Sequence, residues 1–133
     1  PDEVDEERRE FYRLNYRVPV DVTANDPNPP LAGAQPSAPI AAHSLDFGGG
    51  GLALLSPVPV AKGTAVALRL HLDDGDGPLN APGTVVRLNE IPDREDTTFR
   101  LGVAFGRIDQ QDQRRLIQFI FAKQREYRRK GVL

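Results

Sequence analysis

Apolar and polar residues alternate with a period of two from Leu14 to Val22: Leu14, Tyr16, Val18, Val20 and Val22 are separated by Asn15, Arg17, Pro19 and Asp21. That period places the two sets on opposite faces of an extended chain, which no helix can do, so it predicts a half-buried strand. Pro19 falls on the polar side and cannot donate to a ladder, which predicts a sheet edge or a bulge there. The same period returns at Thr64–Leu72, where Val66, Leu68, Leu70 and Leu72 oppose Arg69 and His71. It returns again at Thr98–Phe105, with Phe99, Leu101, Val103 and Phe105 on one side. Ile40–Phe47, Leu52–Leu55 and Gly83–Ile91 read as further strands, and Asp73-Asp74-Gly75-Asp76-Gly77 has the composition of a turn. Short strands in such close succession predict a mainly β domain, a small antiparallel barrel or sandwich.

The two ends differ from this middle. Residues 1–10 are mostly acidic, lack apolar periodicity and read as a linker or flexible arm, while Asn25–Pro39 reads as a loop rich in Pro, Ala and Gly. Near the C-terminus Asp109 is a good helix N-cap, with Asp112 three residues on. Leu116, Ile117, Phe119, Ile120, Phe121 and Tyr127 then form a wide helical stripe within residues 109–130. Such a stripe must be covered, by a barrel mouth or by a second copy in a homodimer. Lys123, Arg125, Arg128, Arg129 and Lys130 suit the negative end of the helix dipole and a solvated surface. The chain begins at Pro1 and contains no methionine, which reads as a domain excised from a longer protein.

Composition removes several functions. A formal net charge of −2 gives no bulk attraction to DNA, RNA or anionic lipid, so any bound anion needs a local cluster of cations. Only 7% of residues are aromatic, too few for a single-strand-binding surface of stacked bases. No apolar run approaches the ~18 residues a membrane helix needs. Without cysteine there is no disulfide frame or thiolate metal site, which fits a reducing, cytoplasmic setting. His43 and His71 lie on different predicted strands without a carboxylate spacing that makes a metal site, and read as surface residues. No Gly-Lys-Ser/Thr follows the glycines, and no nucleophile elbow is present, so neither a P-loop nor a hydrolase is expected. The chain reads as a binding domain and not as an enzyme.

Two segments carry candidate binding chemistry. Arg8, Arg9 and Arg13 stand just before the first strand, and Asp46, Gly48 and Gly51 mark the corner where Ile40–Phe47 turns into the next strand. The arginine fork suits phosphate and the O6/N7 edge of guanine, and a carboxylate suits guanine's N1 and N2 donors. Glycines after the carboxylate allow positive φ and a close backbone approach. Equally, the arginines fit a solvated run paired with nearby glutamates, and Gly48–Gly51 fits an ordinary hairpin turn. Tyr12 and Tyr16 are placed to stack on a base, although Tyr16 also falls on the apolar face.

Arg9-x-x-x-Arg13, then a strand, then Asp46-x-Gly48-x-x-Gly51-Leu52-Ala53-Leu54 resembles the PilZ domain, the bacterial receptor for cyclic di-GMP. Arg100-Leu101-Gly102-Val103-Ala104-Phe105 looks like the last barrel strand of that family. Phe119–Glu126 is similar to the closing helix of its flagellar-brake members. The resemblance implies a six-stranded antiparallel barrel with a C-terminal helix over residues 11–133, preceded by the arm. It implies that Arg9 and Arg13 hold the ligand's phosphates and guanines, that Asp46 binds a guanine edge, that Gly51 keeps the turn open, and that Arg8 assists with an intercalated ligand pair. An adjacent domain or a protein partner, such as flagellar motor machinery, would receive the signal. The family has serine where this chain has Gly48, so one hydroxyl contact is lost, and Ser44 is the nearest substitute on the same strand. Weakened binding and a degenerate module that only contacts proteins both follow from that change.

Overall fold

The computed structural model describes residues 14–24, 39–93 and 96–129. Among them run β1 (Pro19–Ala24), β2 (Ile40–Phe47), β3 (Gly51–Ser56), β4 (Ala65–Leu70), β5 (Leu79–Pro92), β6 (Thr97–Phe105) and the helix α1 (Gln110–Arg129). The strands close into an antiparallel barrel in the order β1-β2-β3-β6-β5-β4, with β4 paired back onto β1. The expected mainly β barrel with a C-terminal helix is therefore what forms. Val20, Val22, Leu54, Leu68, Leu70, Leu79 and Leu101 point inward and are at most 1% exposed, as period-two alternation requires.

Closure corrects the expectation for Pro19. A closed barrel has no edge, and Pro19 is not at a bulge; it opens β1, where a missing donor is tolerated, and its carbonyl accepts the His71 N–H at 3.0 Å. Regular pairing thus starts later than the alternation from Leu14 suggests. Leu14 instead makes an isolated antiparallel bridge with Phe47, donating to its carbonyl at 2.8 Å and accepting its N–H at 2.9 Å. β5 begins four residues before the predicted Gly83, because Pro82 fits opposite Ala67 and its carbonyl accepts the Gly106 N–H at 2.8 Å. Register shifts between Ser44 and Asp46, and again between Val85 and Arg87, mark two bulges. Of the stretch predicted as a loop, residues 25–38 lie outside the described residues.

Neighbouring strands all reverse, so the starts of β1, β3 and β5 and the ends of β2, β4 and β6 share one end of the barrel. α1 follows β6 after four residues and folds back over that end. Asp109 caps it, its Oδ2 accepting the Gln111 N–H at 3.2 Å and its carbonyl accepting the Gln113 N–H at 2.8 Å. Leu116 and Ile120 are fully buried and Phe119 is 5% exposed, all in one core with the barrel interior. Burying three such side chains contributes about 5–9 kcal/mol gross, comparable to the whole net stability of a domain, so the helix is integral to the fold. The barrel of the same chain covers Leu116, Phe119 and Ile120, with Tyr127 packed against them, while Ile117 and Phe121 are half-buried.

Candidate functional site

The β2–β3 corner lies at the helix-covered end of the barrel. Gly48 N–H donates to the Gly51 carbonyl at 2.9 Å and Phe105 N–H to the Gly50 carbonyl at 2.9 Å, so the glycines form a tight hairpin tied to β6. Positive φ among the described residues falls at Gly63, Gly75 and Gly77, and not at Gly48–Gly51. The corner therefore does not use the left-handed freedom expected from its composition. What Gly51 requires is space: a Cβ there would meet the Val103 carbonyl oxygen of β6 at 2.4 Å. Around Gly49 and Gly50 no atom of the described residues lies within 4 Å of such a Cβ.

Asp46 stands one residue before the end of β2, opposite Ala53 and just past the bulge. Its side chain is 14% exposed, and Arg100 from β6 brings a guanidinium nitrogen to 3.8 Å, itself 52% exposed. At that distance and exposure the pair is worth at most about 1 kcal/mol. Arg100 was visible in the sequence only as the start of a strand. Its closeness to Asp46 depends on β6 pairing with β3, which strand spacing does not predict.

Arg8, Arg9 and Arg13 lie outside the described residues, as does Tyr12. Their point of attachment does not. Leu14, the residue after Arg13, is hydrogen-bonded to Phe47, the residue after Asp46. Leu14 therefore stands beside the strand that carries Asp46.

Ser44 is not available in place of the family's serine. The bulge at Leu45 breaks the alternation that would put Ser44 and Asp46 on one face. Ser44 is 1% exposed, its hydroxyl donating to the Tyr16 carbonyl at 2.5 Å and accepting the Val18 N–H at 2.9 Å. It is a structural clip for the segment leading into β1.

A polar cluster beside the site escaped the sequence reading. The Tyr16 hydroxyl donates to Asp73 Oδ2 at 2.5 Å, and Lys123 Nζ lies 3.3 Å from Asp73, 3.5 Å from Glu126 and 5.1 Å from the Tyr16 ring centroid. Lys123 thus faces this cluster, and solvating the helix end is not its role. The bond from Tyr16 holds Asp73 below the usual carboxylate range, and the same bond, with burial, raises Tyr16. Burial presses the Lys123 ammonium downward, yet its contacts with Tyr16 and Asp73 outweigh that and its pKa is raised. Next along the turn, Arg115 forks onto Asp74 at 2.7 and 2.9 Å and also bonds the Gly77 carbonyl, which lowers Asp74 and raises Arg115. The acidic β4–β5 turn is therefore the polar dock for α1. Its signal was present as aspartates in the turn and cations on the helix, but only the fold pairs them.

The histidines bear out a surface role. His43 is half-buried, with burial and then Arg17 lowering its pKa, and His71 pairs with Asp21 at 2.9 Å, both 39% exposed. Among the described residues no group of three His, Cys, Asp or Glu is placed to hold a metal ion, and no helix is long and apolar enough to cross a membrane.

A closed six-stranded antiparallel barrel covered at one end by its C-terminal helix, with a carboxylate corner at the same end, defines a small β-barrel binding module. A model of the PilZ domain matches residues 7–122. The chain belongs to the PilZ domain family, a family of cyclic di-GMP receptors. It is 31% identical over 124 residues to a flagellar brake protein YcgR of Thauera aminoaromatica, an alignment covering 90% of this chain and 46% of the relative. The chain thus spans about half the length of that curated relative. Among solved structures, MrkH of K. pneumonia superposes with a TM-score of 0.69 at 18% identity, over 90% of this chain and 50% of that one. The PilZ domain of Escherichia coli YcgR, solved with c-di-GMP, superposes with a TM-score of 0.61 at 20% identity, over 87% and 94%. At these identities the structural likenesses speak to the fold.

Proposed function

We propose that this chain is a cyclic di-GMP receptor domain in which Arg8, Arg9 and Arg13 close over the Asp46–Gly51 corner on binding and thereby reorient an adjacent domain or partner. One observation carries the reading: the Leu14–Phe47 bridge attaches the arginine segment next to Asp46. The arginines supply paired donors to phosphates and to the guanine O6/N7 edge, and Asp46 accepts from the N1 and N2 donors. Among the described residues nothing crowds Gly49 and Gly50, which leaves room there for a flat base. Fixing each arm residue costs about 1–2 kcal/mol, so a ligand touching arm and barrel together is what favours closure. Output then passes through the segment before β1 to whatever it adjoins, in the cytoplasm. The resemblance to a flagellar brake protein makes motor machinery one candidate receiver.

Calorimetry with cyclic di-GMP tests the site. Arg9→Ala or Asp46→Ala should each weaken binding by about 12- to 150-fold, the equivalent of one lost charge-assisted contact of roughly 1.5–3 kcal/mol. Affinity indifferent to both changes would refute the assignment. Gly48 favours a second reading, a module that has lost its ligand and acts only through protein contacts. Binding that appears in Gly48→Ser but not in the native chain decides for that reading.

A further inference from the structure

We infer that Arg100 is a base-reading residue of the candidate site, its guanidinium donating to O6 of the guanine whose N1 and N2 donors Asp46 accepts; this rests on the cyclic di-GMP reading above. The register brings the two groups together from different strands. Asp46 pairs with Ala53 of β3, Ala53 with Gly102 of β6, and Gly102 with Arg87 of β5, so the four form one row across the sheet. Leu54 and Leu101, next to Ala53 and Gly102, are fully buried, which sets this row on the outer face of the barrel. Arg100 lies two residues from Gly102 and shares that face. β2 and β6 stand about 9–10 Å apart across β3, a gap that a side chain as long as arginine helps to span. Ala53 and Gly102 carry at most a methyl, so neither stands tall between the guanidinium and the carboxylate.

At 3.8 Å the contact is an ion pair and not a hydrogen bond, and the Arg100 side chain is 52% exposed. Its donors are therefore available to a third group beside the carboxylate. The Asp46 side chain, 14% exposed, is sheltered from water, which strengthens the bonds it accepts. Guanine presents an acceptor at O6 followed by donors at N1 and N2, the complement of a guanidinium followed by a carboxylate. Adenine carries an amino group in place of O6, which an arginine, having no acceptor, cannot bond. Arg87 borders the patch on its far side with its stem laid over Gly102: a Cβ on that glycine would meet Arg87 Cβ at 3.1 Å and Cγ at 3.5 Å. Two guanidiniums around one carboxylate give the local positive excess that an anion needs on a chain of net charge −2.

Calorimetry and infrared spectroscopy on the whole chain, with cyclic di-GMP as the probe, test the assignment. Arg100→Ala should weaken binding about 12- to 150-fold, the loss of one charge-assisted contact, while circular dichroism shows the fold kept. At saturating ligand the C6 carbonyl band of the bound guanine should move to higher frequency in the variant, because a strong donor to O6 is gone. Arg100→Met, which keeps an unbranched stem, takes its place should the alanine variant fail to fold. Unchanged affinity, or weaker binding with the carbonyl band unmoved, overturns the inference and leaves the receptor reading standing. No binding by the native chain overturns both.

Discussion

Gly51→Ala separates a packing role from a ligand role at the most informative glycine in the chain. The new Cβ would sit 2.4 Å from the Val103 carbonyl oxygen and 3.3 Å from the Ala104 Cα, both backbone atoms of β6. Backbone in a paired strand cannot swing aside as a side chain does, so the end of the β3–β6 ladder must open. Overpacking of this kind costs about 1–3 kcal/mol. Opening also endangers the Phe105 N–H to Gly50 carbonyl bond of 2.9 Å, a further ~0.5–1.5 kcal/mol. The expected loss is therefore about 1.5–4.5 kcal/mol, equivalent to a fall in melting temperature of about 5–16 °C for a domain of this size. Gly50→Ala is the matched control: no atom of the described residues lies within 4 Å of its Cβ and its φ is not positive. Reducing unfolded-chain freedom there should leave stability unchanged or raise it by up to about 1 kcal/mol. Thermal melts followed by circular dichroism compare the two. If Gly51→Ala melts with Gly50→Ala while cyclic di-GMP binding is lost, the steric argument is wrong and the glycine serves only the ligand.

Three further outcomes follow from the same geometry. Ser44→Ala strands the buried Val18 N–H and should cost about 1–3 kcal/mol in denaturant unfolding, without restoring or removing a ligand contact. Gly48→Ser should tighten cyclic di-GMP binding about three- to twelvefold by calorimetry, the value of one neutral hydrogen bond. Asp73 and Asp74 have carboxyl pKa values lowered in the folded chain, so the stability they contribute is complete above their unfolded value of 3.8 and is lost as pH falls through the lower folded values. Melts from pH 7 to pH 2 should show that acid limb, and Asp74→Asn should flatten it; an unchanged limb in the variant would remove the Arg115 dock from the account.

The residues alone determined the strand periodicity, the capped terminal helix and the pair of motifs that resemble the PilZ family, because each is a local pattern within a few turns or pleats. They also fixed the composition: two histidines, no cysteine and a formal net charge of −2. Only the tertiary structure decided that Pro19 starts a strand of a closed barrel, since an edge exists or vanishes according to whether β4 returns to β1. It likewise decided that Ser44 is a buried clip and that Arg100 stands near Asp46, through a one-residue bulge and a strand order invisible in linear spacing. The meeting of Tyr16, Asp73 and Lys123 spans more than a hundred residues of sequence. Contacts of that range are set by which ends of the strands share a side of the barrel, and alternation at each position is blind to it.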